Sequence, residues 1–243
     1  MQNLSNITVV ILAGGLGTRL RSIVSDRPKV LADVHSRPFL TFLLDELVNA
    51  SAQDVVLCTG YMADEVYKKL GKEYKSLRLL YSKEHKSLGT GGALRLALSM
   101  FKSDFVLVMN GDSFIRVNLT TYLNWFFDKK RQAAILLTKV SDTARYGSVN
   151  IDHEEKITAF NEKETSLGAG LINAGIYLME KSLIASIPTG RFYSLESELF
   201  PNLVGKNLFG FCCNGPFVDI GVPESYTRAK HILKNGLEHL LQE

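Results

Sequence analysis

The chain has 243 residues, of which 46% are apolar and 22% charged, with a formal net charge of +3. That is enough for one large domain with a substantial core, and the balance is ordinary for a soluble globular protein. There is no dense Lys/Arg clustering of the nucleic-acid-binding kind and no run near the ~18–20 apolar residues of a membrane span, so neither nucleic acid nor a membrane is expected as a partner. The first residues do not have the form of a signal peptide. Cys58, Cys212 and Cys213 have neither metal spacing nor a disulfide framework. They read as inert core or near-core thiols of a cytoplasmic protein.

In chain order, Ile7 to Ala13 reads as a buried parallel strand that breaks into Gly14, Gly15 and Gly17. Pro38 is expected to open a helix whose apolar side holds Phe39, Leu40, Leu43, Leu44, Leu47 and Val48. A strand over 54–59, a helix over 63–70 and a strand over 76–81 follow. Gly89-Thr-Gly-Gly92 then leads into a helix over 93–100, and an apolar strand, Phe105 to Met109, ends in Asn110-Gly-Asp112. Strands alternating with helices imply right-handed βαβ units and a mostly parallel sheet, a Rossmann-like three-layer α/β sandwich. Ligands of such sheets bind at the carboxyl ends of the strands, which is where the loops at Gly14, Gly89 and Asp112 fall. The second half reads as a helix over 119–130, a strand over 133–138, a short hairpin over 147–161, a buried strand over 172–179, a helix over 195–203 and strands at 208–213 and 217–218. A C-terminal helix from Pro223 carries Tyr226, Ala229, Leu233, Leu237 and Leu240 at helical spacing. That stripe serves either the chain's own core or a second copy in a homodimer. The division expected is a nucleotide-binding half over about 1–118, an inserted sugar-binding lobe over about 119–222 and the tail helix over about 223–241, all in a single domain.

The stretch Leu12-Ala-Gly-Gly-Leu-Gly-Thr-Arg-Leu20 carries the chemistry. Glycines after a first strand let backbone N–H groups approach a phosphate chain with no Cβ in the way. Arg19 adds a cationic fork for phosphate oxygens and Lys29 a second cation. The spacing is neither a Walker loop nor a dinucleotide fingerprint. A tight strand-to-helix turn with no ligand is the plainer alternative. Asp112 and Asp219 each follow an apolar stretch at a strand end and adjoin a glycine. Carboxylates placed so suit Mg²⁺ beside phosphates, although either could instead be a turn or cap residue.

Gly14 to Leu20 matches G-G-x-G-T-R-L, and with the downstream Pro28-Lys29 it resembles the sugar-1-phosphate nucleotidyltransferases. The resemblance runs from about residue 9 to about residue 230. It implies the nucleotide-diphospho-sugar transferase fold, Mg²⁺ as cofactor, and in-line attack of a sugar 1-phosphate on the α-phosphorus of a nucleoside triphosphate. Leu107 to Asp112 matches the family's metal motif L-x-x-N-G-D. Phe217-Val-Asp-Ile-Gly221 matches W-x-D-x-G except that Phe217 replaces Trp. Arg19, Lys29 and Asp112 are thereby the catalytic residues expected, with Asp112 and Asp219 on the metal. Leu12, Ala13, Gly14, Gly15, Gly17, Thr18, Arg19, Glu84, Gly89, Thr90, Asn110 and Gly111 are expected on the nucleotide, and Tyr146, Gly147, Glu162, Lys163, Asn173 and Gly175 on the sugar phosphate. Glu164 stands where the family's E-K-P motif has proline. No histidine needs a role, and His85 reads as a bystander beside the loop.

Glu84 bears on the base. An ionised carboxylate only accepts hydrogen bonds. Guanine offers two neighbouring donors, whereas uracil and thymine offer one between carbonyls, and cytosine fits less well. The spacing from Glu84 to Gly91 is similar to the guanylyl branch, which favours GTP, unless Glu84 is only an exposed loop carboxylate. In length and in the ending from Phe217 to Tyr226 the chain resembles bacterial D-glycero-α-D-manno-heptose 1-phosphate guanylyltransferases, which serve capsule or surface-layer glycans. Mannose 1-phosphate as the sugar, and cytidylyl, uridylyl or thymidylyl transfer, stay open. A glycosyltransferase of related fold is disfavoured by the lack of a D-x-D tripeptide. A non-catalytic nucleotide-sugar sensor is disfavoured because Arg19, Lys29 and both aspartates are retained.

Overall fold

A computed structural model describes residues 3–161 and 168–238, without the side chains of 234–238. Among the described residues, eight strands form one sheet: β1 (Thr8–Ala13), β2 (Asp54–Thr59), β3 (Glu73–Tyr74), β4 (Leu77–Lys83), β5 (Phe105–Asn110), β6 (Ala133–Val140), β7 (Gly170–Glu180) and β8 (Leu208–Cys213). Their order is β8-β6-β7-β5-β1-β2-β4-β3. Strand β1 is parallel to β2 and β5, β2 to β4, and β6 to β8. Only β7 and the short β3 run antiparallel to their neighbours, so the sheet is mostly parallel, as expected.

The central strands are apolar on both faces because both faces are covered. Val9, Ile11, Val55, Leu57, Leu107 and Met109 enter one core, packed by helices α1 (Leu40–Asn49), α4 (Leu119–Asp128) and α7 (Pro223–Glu238). The alternate residues Val10, Val56, Cys58, Val106 and Val108 enter a second core under α3 (Gly89–Ala97), α5 (Lys181–Ala185) and α6 (Phe200–Leu203). Helix α2 (Ala63–Leu70) sends Val66 into the first core. The chain moves outward from β1 through β2 to β4, then returns to the other side of β1 as β5. This reversal opens a crevice at the carboxyl ends of β1 and β5, where sheets of this kind bind ligands.

Several boundaries differ from those read in the sequence, each for a local reason. Pro38 pairs in a two-residue ribbon with Asp33, so α1 opens after it, at Leu40. Helix α3 begins at Gly89 rather than Ala93, and its glycine-rich first turn is packed too tightly for side chains: a Cβ on Gly92 would lie 2.9 Å from the Arg191 carbonyl oxygen. The segment expected as one helix over 195–203 is a π-helical turn, Leu195–Leu199, running into α6. Cys212 is exposed while Cys58 is buried. It faces outward on the edge strand β8, so it is not a core thiol. Tyr226, Ala229 and Leu233 of α7 are buried in the first core; the side chain of Leu237, and all of Leu240, lie outside the described residues.

Candidate active site

The glycine loop leaves β1 at the crevice. Gly17 is left-handed, with φ of +62°, and a Cβ there would meet the Cβ of Lys29 at 3.1 Å. The loop therefore packs directly on the short turn Lys29–Leu31, which Pro28 introduces in extended geometry. Thr18 and Arg19 sit in a single 3₁₀ turn. Arg19 is exposed and makes no hydrogen bond or ion pair among the described residues, which leaves its guanidinium available to a ligand. Gly15 is exposed, and a Cβ on it would meet nothing within 4 Å. Packing thus does not require glycine at that position.

An open cleft of about 230 Å³ follows from this geometry. Leu12, Ala13, Gly14 and Gly15 line one side and Asn110 and Asp112 another. Lys29, Glu84, Gly89 and Thr90 complete the expected set. Gly17, Thr18, Arg19 and Gly111 flank the cleft without lining it. Val30, Cys58, Ser87 and Ala93 also line it, and no sequence motif marks them. Burial pushes the Cys58 thiol up to about 12, so that wall is a neutral, unreactive surface at physiological pH.

Glu84 is built into the cleft. Its Oε2 accepts the Leu88 N–H at 3.0 Å. Its Oε1 lies where a Cβ on Gly14 or Gly60 would come within 2.9 or 2.8 Å. Gly60 was not singled out in the sequence, since a lone glycine after a strand reads as an ordinary turn. Burial raises the Glu84 carboxyl above its usual range, and the Leu88 N–H opposes that rise.

The two aspartates converge through backbone pairing. The strand Phe217–Asp219 runs antiparallel to Ser113–Ile115, which sets Asp219 opposite Ser113, and the Ile220 N–H donates to the Asp112 carbonyl at 2.8 Å. Gly111 lets the loop before Asp112 lie against the end of β1, because a Cβ there would lie 2.7 Å from the Leu12 carbonyl oxygen. Lys29 is ion-paired with Asp112. Asp219 accepts from the Tyr146 hydroxyl at 2.7 Å, the Gly221 N–H at 3.0 Å, and Arg145 at 3.2 Å to each oxygen. Tyr146 packs edge-on against Phe217 at 5.8 Å, so the phenylalanine that replaces the family's tryptophan still braces the aspartate's neighbour. Burial, with the Asp219 carboxylate adding to it, pushes the Tyr146 hydroxyl up to about 12, which keeps it a donor.

No cluster of three or more His, Cys, Asp or Glu occurs among the described residues. Mg²⁺ beside phosphates uses one or two carboxylates, with water and phosphate oxygens completing its shell. The pair Asp112 and Asp219, from two chain segments joined at one sheet edge, fits that demand.

The sugar-side residues expected from the sequence divide. Asn173 lies in β7 just before a register shift, with Gly175 at φ of +80°, where a Cβ would meet Ser113 Oγ at 2.5 Å. The Asn173 side chain is largely committed: its Oδ1 accepts the Gly175 N–H at 2.8 Å and its Nδ2 donates to the Tyr177 hydroxyl at 3.0 Å. Tyr146 and Gly147 stand at the start of the hairpin, Ser148–Ile151 with Ile157–Asn161. Glu162 and Lys163 lie outside the described residues.

A polar network unseen in the sequence joins these parts. The Tyr177 hydroxyl accepts from Asn110 at 3.3 Å and from Asn173, and donates to Glu196 Oε1 at 3.2 Å. Glu196 Oε2 accepts from Thr90 at 2.6 Å and from Ser194 at 3.0 Å. Because both amides give N–H to Tyr177, Asn110 turns its Oδ1 away, and that buried oxygen has no partner. Glu196 sits in the π-helical turn, a device that recurs at functional sites. Its sequence context, Leu195-Glu-Ser-Glu198, looks like an ordinary helix face, so nothing local marked it.

A glycine loop at the carboxyl edge of a mostly parallel sheet, with Arg19 and Lys29 beside it and Asp112 and Asp219 brought to the same end, is an arrangement suited to an α/β enzyme that handles nucleotide phosphates. The nucleotidyl transferase family matches residues 8–236. A D-glycero-α-D-manno-heptose 1-phosphate guanylyltransferase of Campylobacter jejuni is 36% identical over 220 residues, 89% of this chain and 96% of that protein. A mannose-1-phosphate guanylyltransferase of Mycobacterium tuberculosis is 32% identical over 235 residues, 95% of this chain and 66% of that protein. The crystal structure of HddC from Yersinia pseudotuberculosis complexed with GMP-PN superposes with a TM-score of 0.83 at 33% identity, covering 93% of this chain and 98% of that one. The chain belongs to the nucleotidyl transferase family.

Proposed function

We propose that the protein joins GTP to D-glycero-α-D-manno-heptose 1-phosphate, giving a GDP-heptose and pyrophosphate. The observation that carries the guanine preference is the placement of Glu84 in the wall of the nucleotide cleft, beside Gly14 and Gly60. A carboxylate there presents acceptors only, which suits the paired donors of guanine. The heptose rests on relatives of nearly the same length, from Campylobacter jejuni and Aneurinibacillus thermoaerophilus, whose sugar substrate is that one.

The reacting partners are both anions, so the residues act by positioning and by neutralising charge. Arg19 holds the leaving β- and γ-phosphates. Lys29, poised on Asp112, neutralises charge that develops on the α-phosphate. The backbone of Gly14 and Gly15 tracks the triphosphate. Asp112 and Asp219 would hold Mg²⁺, which would supply further neutralisation of phosphate charge. No general base is required, since the sugar phosphate is already ionised near neutral pH. Asn173 and Gly175, with Tyr146 and Gly147, form the sugar side, which Glu162 and Lys163 complete on the family resemblance. The product suits surface glycan assembly such as capsule, and the use of nucleoside triphosphate suits a cytoplasmic setting. Among the described residues no helix is long and apolar enough to cross a membrane.

Mannose 1-phosphate is the second reading, favoured by the Mycobacterium tuberculosis relative. The test is ³¹P NMR of a reaction containing GTP, Mg²⁺ and the heptose 1-phosphate. A GDP-sugar diphosphate and free pyrophosphate are expected, and Asp112→Asn is expected to lose about 10²-fold or more in rate, as when a transition-state charge contact is removed. Turnover with mannose 1-phosphate at higher kcat/KM would replace the sugar assignment and leave the reaction class standing.

A further inference from the structure

We propose that Arg145 is a displaceable counter-ion of Asp219, a positioning residue that keeps a lone divalent cation off that carboxylate until a nucleoside triphosphate arrives. The inference rests on Asp219 being a metal ligand. A carboxylate has about four lone-pair positions, and all four at Asp219 are taken. Oδ1 accepts from Tyr146 and Arg145, and Oδ2 accepts from the Gly221 N–H and Arg145. A cation reaches Asp219 only if one of these donors leaves.

The donors differ in how firmly they are held. The Gly221 N–H is fixed by the backbone turn that follows Asp219. Tyr146 makes the short contact at 2.7 Å, and its ring is braced by Phe217. Arg145 makes the longest contacts, 3.2 Å to both oxygens, from a side chain that is 43% exposed. Its guanidinium rests on the Tyr146 ring at 5.1 Å. Arg145 is therefore the donor that yields.

Charge explains why it yields to a loaded nucleotide rather than to a bare ion. Asp112 is paired with Lys29 and Asp219 with Arg145, so each carboxylate's charge is balanced by a cation and the two together attract a lone divalent cation weakly. A triphosphate brings several negative charges. It offers Arg145 and Lys29 alternative partners while it delivers the cation to both aspartates.

The test is Mn²⁺ binding to the enzyme without nucleotide, followed by electron paramagnetic resonance of the free ion. Arg145→Gln is expected to tighten Mn²⁺ binding roughly three- to tenfold, the worth of a partly exposed ion pair. Arg145→Lys, which keeps the charge, is expected to stay near the unsubstituted enzyme. Equal Mn²⁺ affinity in Arg145→Gln and the unsubstituted enzyme would overturn the proposal. The double variant Arg145→Gln/Asp219→Asn separates it from the metal reading. Loss of the gain places the extra ion on Asp219, whereas a retained gain would remove Asp219 from the metal site altogether. Thermal melts of the Arg145 variants, expected to match because that side chain is 43% exposed, and circular dichroism of the double variant, whose Asp219 is 17% exposed, check that the fold is unchanged.

Discussion

Neighbouring glycines of one loop answer to different forces. Gly14 is confined by the Glu84 carboxylate, while Gly15 faces open space. Gly15→Ala is therefore expected to leave the melting temperature unchanged or slightly raised, since alanine removes unfolded-state freedom worth about 0.4–1 kcal/mol, yet to raise the KM for GTP severalfold. Gly14→Ala is expected to lower both stability and affinity, as Glu84 is pushed aside; calorimetry and initial rates on the pair check this. Glu84 also sets a pH dependence. Its folded pKa is raised by burial, so between its unfolded and folded values the native state holds the extra proton, and stability falls as pH rises through that window. Glu84→Gln is thus expected to be as stable as the natural protein or more so at neutral pH. It is also expected to lose preference for GTP over UTP by roughly 10- to 100-fold, the range for a hydrogen bond to a charged group. With Glu84 present, the KM for GTP should climb as pH falls through the raised carboxyl pKa, and the variant should show no such rise. The carboxylate and its proposed partner, guanine, were legible in the sequence because of what its chemistry accepts. Gly60, which makes room for it, was not, because the contact joins residues that follow different strands, β2 and β4.

At the scale of elements, the N-terminus of α3 and the π-helical turn act together. The Gly91 and Gly92 N–H groups donate to the Tyr193 carbonyl at 2.9 and 3.1 Å, and the Leu195 N–H donates to Thr90 Oγ1 at 2.8 Å. These bonds fix the α3 side of the cleft to the segment bearing Glu196. Through Tyr177, that segment reaches Asn110 and Asn173. Tyr177 is buried, and burial pushes its hydroxyl well above the usual tyrosine range, so it stays a donor to Glu196 across the physiological range. Tyr177→Phe removes the shared oxygen and strands two amides and a carboxylate. A loss of about 1–3 kcal/mol is expected, read as a lower urea midpoint at unchanged slope; an unchanged midpoint would mean that water satisfies these groups equally well. Strand–helix alternation was legible here from hydrophobic period alone, and so were the limits of β2, α2 and β8. The start of α3 was not. Glycines disfavour helix by propensity, and only tertiary packing on Tyr193 and Arg191 reverses that preference.

For the whole molecule, the site follows from topology. The chain reverses direction across the sheet at β1, and the loops after β1 and β5 meet there, so the glycine motif and Asp112 were legible as one site before any coordinate. The pairing of Phe217–Asp219 with Ser113–Ile115 was not legible, because no local pattern encodes a pairing between such distant segments, although two carboxylates at strand ends already suited one ion. The far half is tied down by a device that sequence does not reveal. Arg131, 2% exposed, lies 3.9 Å over the Trp125 ring and 5.2 Å from that of Phe209, and pairs with Glu155 at 3.1 Å. It joins α4 to the hairpin and β8 largely by packing. Arg131→Ala is expected to cost about 2–4 kcal/mol through the cavity left, and Arg131→Met under about 1.5 kcal/mol, because it refills the space; thermal unfolding of the two variants compares them. The central claim concerns the reaction, and Mg²⁺-dependent pyrophosphate release tests it most directly, with GTP, CTP, UTP, dTTP and ATP each paired with heptose, mannose and glucose 1-phosphates. The account predicts release with GTP and D-glycero-α-D-manno-heptose 1-phosphate well above every other pair. Release driven best by UTP or dTTP would contradict the role of Glu84, and no release from any pair would contradict the enzyme assignment itself.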